Sequence, residues 1–266
     1  MSEYNNINNL GLLNALSRII NSGNKDSNYS IATYIIHNMH RIKNLSINDI
    51  VDEAYSSRSA VRRFAEYLGY ENYSDLKESI NKLIYPSDLR HRNIDTLENH
   101  RNKLDKLIDN MIDDINVVWS ENVLQECVEL IHSHAQVLLI GANNTSGDLI
   151  RFQQELIFAN KIVSVISGPY TNNQLSQEKD DNRLIVTVSA SGKFAEIAND
   201  WIRKLSGNKI LITADRADFF KKTYNQILYI SQTSFTEDYL GIYGKYGITY
   251  ILDLISTSYL FQYAQQ

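Results

Sequence analysis

The sequence predicts a helical head followed by an α/β domain built on a doubly wound parallel sheet. Two observations carry this. Over roughly the first eighty-five residues, apolar side chains recur at helical spacing, and two short helices separated by a tight turn occupy about 46–69. From Val137 onward, unbroken aliphatic runs alternate with amphipathic stretches, which is the pattern of parallel strands covered on both faces by helices. A third observation marks a focal point. Leu184-Ile185-Val186-Thr187-Val188 runs straight into Ser189-Ala190-Ser191-Gly192, just before an amphipathic segment beginning near Phe194. A strand that ends in hydroxyls and a glycine at a helix start offers unpaired N–H groups and partial positive charge, a setting suited to an anion.

Composition bounds the function. With 266 residues, the chain is long enough for two domains, and 43% hydrophobic with 21% charged residues is ordinary globular material. The net charge of −5 excludes a broadly cationic surface, so any nucleic-acid contact must come from a local basic patch. Cys127 is the only cysteine, which excludes intrachain disulfides and cysteine-based metal clusters. Met1 to Asn9 lacks a basic region followed by an apolar core, and no apolar run approaches a membrane span. A cytoplasmic protein without membrane contact is expected.

In the head, Leu10, Leu12, Leu13, Leu16, Ile19 and Ile20 mark one helix, ended by the polar stretch Asn21 to Asn28. A second covers Ile31 to Met39, with Ile31, Tyr34 and Ile35 inward. Ser46, with Asp49 three residues on, reads as a capping box ahead of Ile47, Ile50, Val51 and Ala54. Tyr55-Ser56 breaks that pattern. Ser57 is a second N-cap, and Val61, Phe64, Ala65 and Leu68 form the next stripe, closed by Gly69 with Tyr70 behind it. The spacing is that of a helix-turn-helix. At about 100° per residue, the apolar stripe of the second helix lies opposite Arg58, Ser59, Arg62, Arg63 and Glu66. Arginines and a serine opening an exposed face suit a major-groove reader, since arginine bonds guanine bidentately or holds phosphate. The competing reading is a merely solvated face. Ser57, Arg58, Ser59, Arg62 and Arg63 are the DNA-binding candidates.

Ser30 to Lys77, with Ser46-Ile47-Asn48-Asp49-Ile50, Val61-Arg62-Arg63-Phe64, Leu68-Gly69-Tyr70 and Tyr73-Ser74-Asp75-Leu76-Lys77, resembles the N-terminal domain of the RpiR family of bacterial transcriptional regulators. Ala60 stands where that family commonly has threonine, and Arg58 where it often has proline or a small residue. These departures leave the fold intact and alter the expected contacts at those two positions.

Ser74 opens another helix to about Ile84, stopped by Pro86, and the polar run Pro86 to Asn93 is the natural domain boundary. Leu97, Leu104, Ile108, Met111, Ile115 and Val118 then follow at intervals of 7, 4, 3, 4 and 3. That heptad-like seam fits either a partner helix or the chain's own C-terminal domain. A short helix from Val123 to Ile131 completes a connector over 86–134, giving domains at 1–85 and 135–266. His132 and His134 have no acidic or cysteine companions in sequence, so no metal site is expected.

In the second domain, strands are predicted at Val137 to Ile140, Ile162 to Ile166, Leu184 to Val188, Ile210 to Thr213 and Ile227 to Ile230. Helices are predicted at Ser146 to Asn160 (Leu149, Phe152, Leu156 and Ile157 inward), Phe194 to Leu205, and Tyr239 to Gln262. Ligands of such sheets bind outside the carboxyl ends of the strands, which singles out the loops Gly141 to Ser146, Ser189 to Lys193, and Ala214 to Asp218. Gly141-Ala142-Asn143-Asn144-Thr145 lacks the glycines of a dinucleotide fingerprint and the lysine of a P-loop.

Together with Ser189-Ala190-Ser191-Gly192, this hydroxyl-rich loop makes Val137 to Tyr263 similar to the sugar isomerase (SIS) domain, the usual partner of the RpiR head. The resemblance implies a phosphorylated-sugar site at Asn143, Thr145, Ser146, Ser189, Ser191 and Gly192. Asn143 replaces a usual glycine, and Phe194 a usual threonine or serine. The alternative is that Ser189 and Ser191 only cap strand and helix. All six histidines lie at or before His134, and Glu155, Glu196 and Glu237 have no distinguishing spacing. The implied function is a non-enzymatic, homodimeric or homotetrameric regulator of sugar or amino-sugar metabolism. It binds operator DNA, responds to a phosphosugar and needs no cofactor. The competing classes are a sugar-phosphate isomerase and a regulator with a degenerate pocket.

Overall fold

The structure is a computed structural model that describes residues 5–81, 96–167, 182–234 and 241–264. The chain divides into two compact units, Met1–Tyr85 and Pro86–Gln266. The expected helix end near Ile84, the boundary at Pro86–Asn93, the loop after Ser167, and Glu237 lie outside the described residues.

The first unit consists of α1 (Asn5–Asn21), α2 (Ser27–Asn38), a 3-10 turn (Met39–Asn44), α3 (Ile47–Glu53), α4 (Arg58–Tyr67) and α5 (Tyr73–Asn81). Leu12, Leu16, Ile31, Ile35, Ile50, Val61, Phe64 and Leu76 form its core. The second helix starts four residues before the predicted Ile31, because the Asp26 carboxylate caps it by accepting from the Tyr29 N–H. Ser46 and Asp49 form the predicted capping box of α3. At the end of α4, Gly69 takes φ +87°. The Tyr70 N–H reaches the Ala65 carbonyl and the Gly69 N–H that of Glu66, closing a Schellman motif. α3 ends the same way, with the Ser56 N–H on the Val51 carbonyl, but the left-handed residue there is Tyr55, at φ +48°.

The second unit begins with α6 (Leu97–Val118) and α7 (Glu121–Ser133). It continues through β1 (Gln136–Gly141), α8 (Ser146–Ile157), β2 (Val163–Ser167), β3 (Arg183–Val188), α9 (Lys193–Arg203), β4 (Asn208–Thr213) and β5 (Gln226–Tyr229). A π-helical turn, Tyr243–Gly247, leads into the terminal helix α10 (Ile248–Tyr263). The five strands are parallel in the order β2-β1-β3-β4-β5. β3 is buried at every position. Its Leu184, Val186 and Val188 face a core completed by Met111, Ile115, Phe152 and Ile251. Ile185 faces the opposite core, with Ala195, Ile202 and Phe220. The sheet is therefore covered on both sides, as the alternation predicts.

Three details depart from expectation. Ile157, predicted inward, is 58% exposed, because α8 ends there and the chain turns through Asn160 at φ +57°. The α6 seam packs on the chain's own sheet domain at Met111 and Ile115, so the connector helices contribute to that core. His132 lies in α7 and stacks on Tyr263, 3.7 Å between ring centroids at 6°. Among the described residues no group of three or more histidine, cysteine or acidic side chains could hold a metal ion. No helix among them is long and apolar enough to cross a membrane. Cys127 is fully buried, and desolvation pushes its thiol up to about 12, leaving it unreactive.

Candidate DNA-reading and effector sites

α4 presents its first turn to solvent because Ser57 fixes the helix start. The Ser57 hydroxyl accepts from the Ala60 N–H at 3.2 Å and lies 3.0 Å from the Ser59 hydroxyl. Arg58, Ser59, Arg62 and Arg63 are all exposed. Their engagements differ. Arg58 donates Nε and Nη2 to Asn48 Oδ1 at 3.1 and 2.8 Å, which ties α4 back to α3. Arg62 pairs with Glu66 at 2.9 Å; both side chains are well exposed, so the pair contributes little to stability. Arg63 makes no hydrogen bond or ion pair among the described residues, which leaves its guanidinium available.

Arg58 and Arg62 also line an open groove of about 550 Å³, with Ile47 and the segment Asn72–Asp75. Asn72 caps the start of α5, accepting from the Asp75 N–H at 3.1 Å. Two guanidinium groups therefore stand over the amino end of a helix, a setting compatible with phosphate. Asn48 and Asn72 were absent from the sequence-level site; polar residues at helix starts read there only as caps.

In the second unit, the strand order changes direction between β1 and β3, and the crevice outside their carboxyl ends is where such sheets bind ligands. Gly141 and Val188 are register partners there. A Cβ on Gly141 would come within 2.8 Å of both Leu149 Cδ1 and Thr145 Oγ1, so only glycine fits. Asn143 opens the short 3-10 turn Asn143–Thr145, and Ser146 is the first residue of α8. The Thr145 hydroxyl donates to the Ala142 carbonyl at 2.8 Å and is buried, which spends its proton inside its own turn.

On the neighbouring loop, buried Ser189 accepts from the Ala195 N–H at 3.3 Å, thereby capping α9, while Ser191 is half-buried. Gly192 adopts φ +75° as the N-cap. Phe194 turns into the core beneath α9. The residue that sequence reasoning missed is Asp215, in the third loop. A Cβ on Gly192 would lie 2.3 Å from Asp215 Oδ2, so a carboxylate sits directly against the helix start. Its other oxygen accepts from the Ala217 N–H at 2.9 Å. An acid just past a strand end reads in sequence as a turn residue, which is why it carried no signal. On the other side of the loop, a Cβ on Gly244 would stand 3.8 Å from Ala190 Cβ, which brings the π-turn alongside. Of the carboxylates considered as bases, Glu155 lies 3.7 Å from Arg151, and Glu196 is exposed on the first turn of α9.

Residues 11–85 match the helix-turn-helix domain of the rpiR family. The chain is 22% identical over 173 residues to the HTH-type transcriptional regulator GlvR of Bacillus subtilis (strain 168). That match covers 65% of this chain and 64% of GlvR, less than two thirds of the relative's length. Identity is 24% over 230 residues with the uncharacterized HTH-type transcriptional regulator YfhH of Escherichia coli (strain K12), covering 82% of this chain and 80% of YfhH. Among solved structures, the Vibrio vulnificus NanR protein complexed with ManNAc-6P aligns at TM-score 0.46 and 18% identity, covering 94% of this chain and 93% of NanR. The sugar isomerase domain of an RpiR transcription factor from Sphaerobacter thermophilus aligns at TM-score 0.43 and 12% identity, covering 60% and 90% respectively.

Proposed function

Residues 11–85 are a helix-turn-helix domain of the rpiR family, and from that premise we propose that the chain is an RpiR-type, DNA-binding transcriptional regulator of sugar or amino-sugar metabolism. The observation that carries this reading is α4, a capped helix whose outward face bears Arg58, Arg62 and Arg63 while Val61, Phe64 and Ala65 anchor it inside. Arg63 reads base edges, and Arg58 and Arg62 hold backbone phosphate beside the start of α5. A two-fold operator is read by a homodimer or homotetramer in the cytoplasm, with half-sites about one helical turn, or a multiple of it, apart.

The second unit is the sensor. A phosphorylated sugar bound between the Gly141–Ser146 and Ser189–Gly192 loops shifts the protein toward one arrangement by binding it more tightly than the other. Ser189, Ser191 and backbone N–H groups at α9 supply its donors. The domain acts without turnover, and the surroundings of Glu155 and Glu196 support that reading.

A gel shift on the gene's own upstream region tests the head. The Arg62→Ala/Arg63→Ala variant is expected to lose at least tenfold in affinity, since each contact of this kind is worth roughly 1–3 kcal/mol. Full retention of affinity counts against the assignment. Melting the protein against a panel of sugar phosphates tests the sensor; the effector raises the melting temperature, and no response from any of them leaves the pocket without support.

A further inference from the structure

We propose that the amino-terminal half of α6 is a self-association surface that pairs with the same segment of a second copy in antiparallel orientation. The inference rests on the regulatory reading above only in that a two-fold operator calls for a two-fold protein.

On the 22-residue helix α6, Leu97, Arg101, Leu104, Ile108, Met111 and Ile115 fall on one stripe about 80° wide. The stripe is treated differently at its two ends. Met111 and Ile115 are buried in the sheet domain's core. Leu104 and Ile108 are only partly covered by it, and Leu97 is 83% exposed. The helix thus runs beyond the surface that buries it, with its apolar line continuing into solvent.

Charge selects the occupant. Arg101 and Asp105 are exposed on one flank of the stripe, and neither makes an ion pair among the described residues. In an antiparallel pair with its two-fold axis between positions 102 and 103, each Arg101 meets the partner's Asp105, and each Leu97 meets the partner's Ile108. This is the reciprocal pattern an isologous contact requires. A parallel pair would set Arg101 against Arg101 and Asp105 against Asp105. The overlap spans twelve residues, about 18 Å of helix. A contact of that size gives a dimer that dissociates on dilution, and more readily in high salt as the ion pairs are screened.

Sedimentation velocity of the full-length protein over a dilution series is the test. The wild type is expected to be dimeric at micromolar concentration, and Leu97→Asp/Leu104→Asp to be monomeric. Arg101→Asp should weaken the dimer at least tenfold, and Arg101→Asp/Asp105→Arg should restore it. A monomeric wild type, a dimer indifferent to the leucine substitutions, or a charge exchange that fails to restore pairing each overturns the proposal. Binding of the leucine variant to a duplex carrying one half-site separates the two readings. It persists if only the helix pairing is wrong, whereas a wild type that binds no DNA removes the regulatory reading itself.

Discussion

Asp215 sets the electrostatics of the effector loop more than either serine does. Its carboxylate lies against Gly192, at the end of α9 that would attract an anion. A negative group a few ångströms from a bound phosphate opposes it, by about 1 kcal/mol at the effective dielectric of a partly solvated site. Asp215→Asn is therefore expected to strengthen sugar-phosphate binding by roughly threefold to tenfold, read by titration calorimetry. An unchanged or weakened affinity would show that the carboxylate is not felt there. Gly192 itself tolerates no side chain, since it combines φ +75° with that close approach. Gly192→Ala should cost at least about 2 kcal/mol, a drop of several degrees in melting temperature, and Asp215→Ala should return part of it. Ser189, Ser191 and Gly192 were legible in sequence because a strand, two hydroxyls and a glycine are local. Asp215 was not, because its neighbour is twenty-three positions away and only the sheet brings them together.

The helices of the head were legible to the residue where side-chain chemistry fixes their ends. Ser46, Ser57 and Gly69 occupy the cap positions that their types predict. The 3-10 turn after α2 and the π-turn before α10 were not legible. Tertiary packing selects those hydrogen-bond patterns, as where a Cβ on Gly247 would approach Ile115 and Met111 to 3.2 and 3.3 Å. The α3 cap has a pH signature. Hydrogen bonds from the Ser46 backbone N–H and hydroxyl hold the Asp49 carboxyl below its ordinary 3.8. A depressed acid contributes stability above its unfolded-state value and loses it as pH falls through the folded one. Melting of the head should consequently fall more steeply below pH 3.8 in the wild type than in Asp49→Ala. Parallel curves would show the box to be inactive in solution.

At the scale of the whole molecule, the chain holds one core in the head and two on the faces of the sheet. Units with separate cores melt as separate cooperative blocks. Calorimetry should resolve two transitions, with operator DNA raising one and a sugar phosphate the other. A single transition moved equally by both ligands would show that the units unfold together. The division between head and sheet domain was visible as a change from helical spacing to aliphatic runs; the allegiance of α6 was not, because its seam suits two partners equally well. The π-turn at Tyr243–Gly247 has a consequence for how this chain can vary in length. Such a turn carries one residue more than a regular helix, so it sets the phase of everything after it. Removing one residue would rotate α10 by about 100° against the segment before it. That would carry Ile251 and Ile255 off the sheet, so the segment is a point of fixed length in a domain whose other loops can grow or shrink.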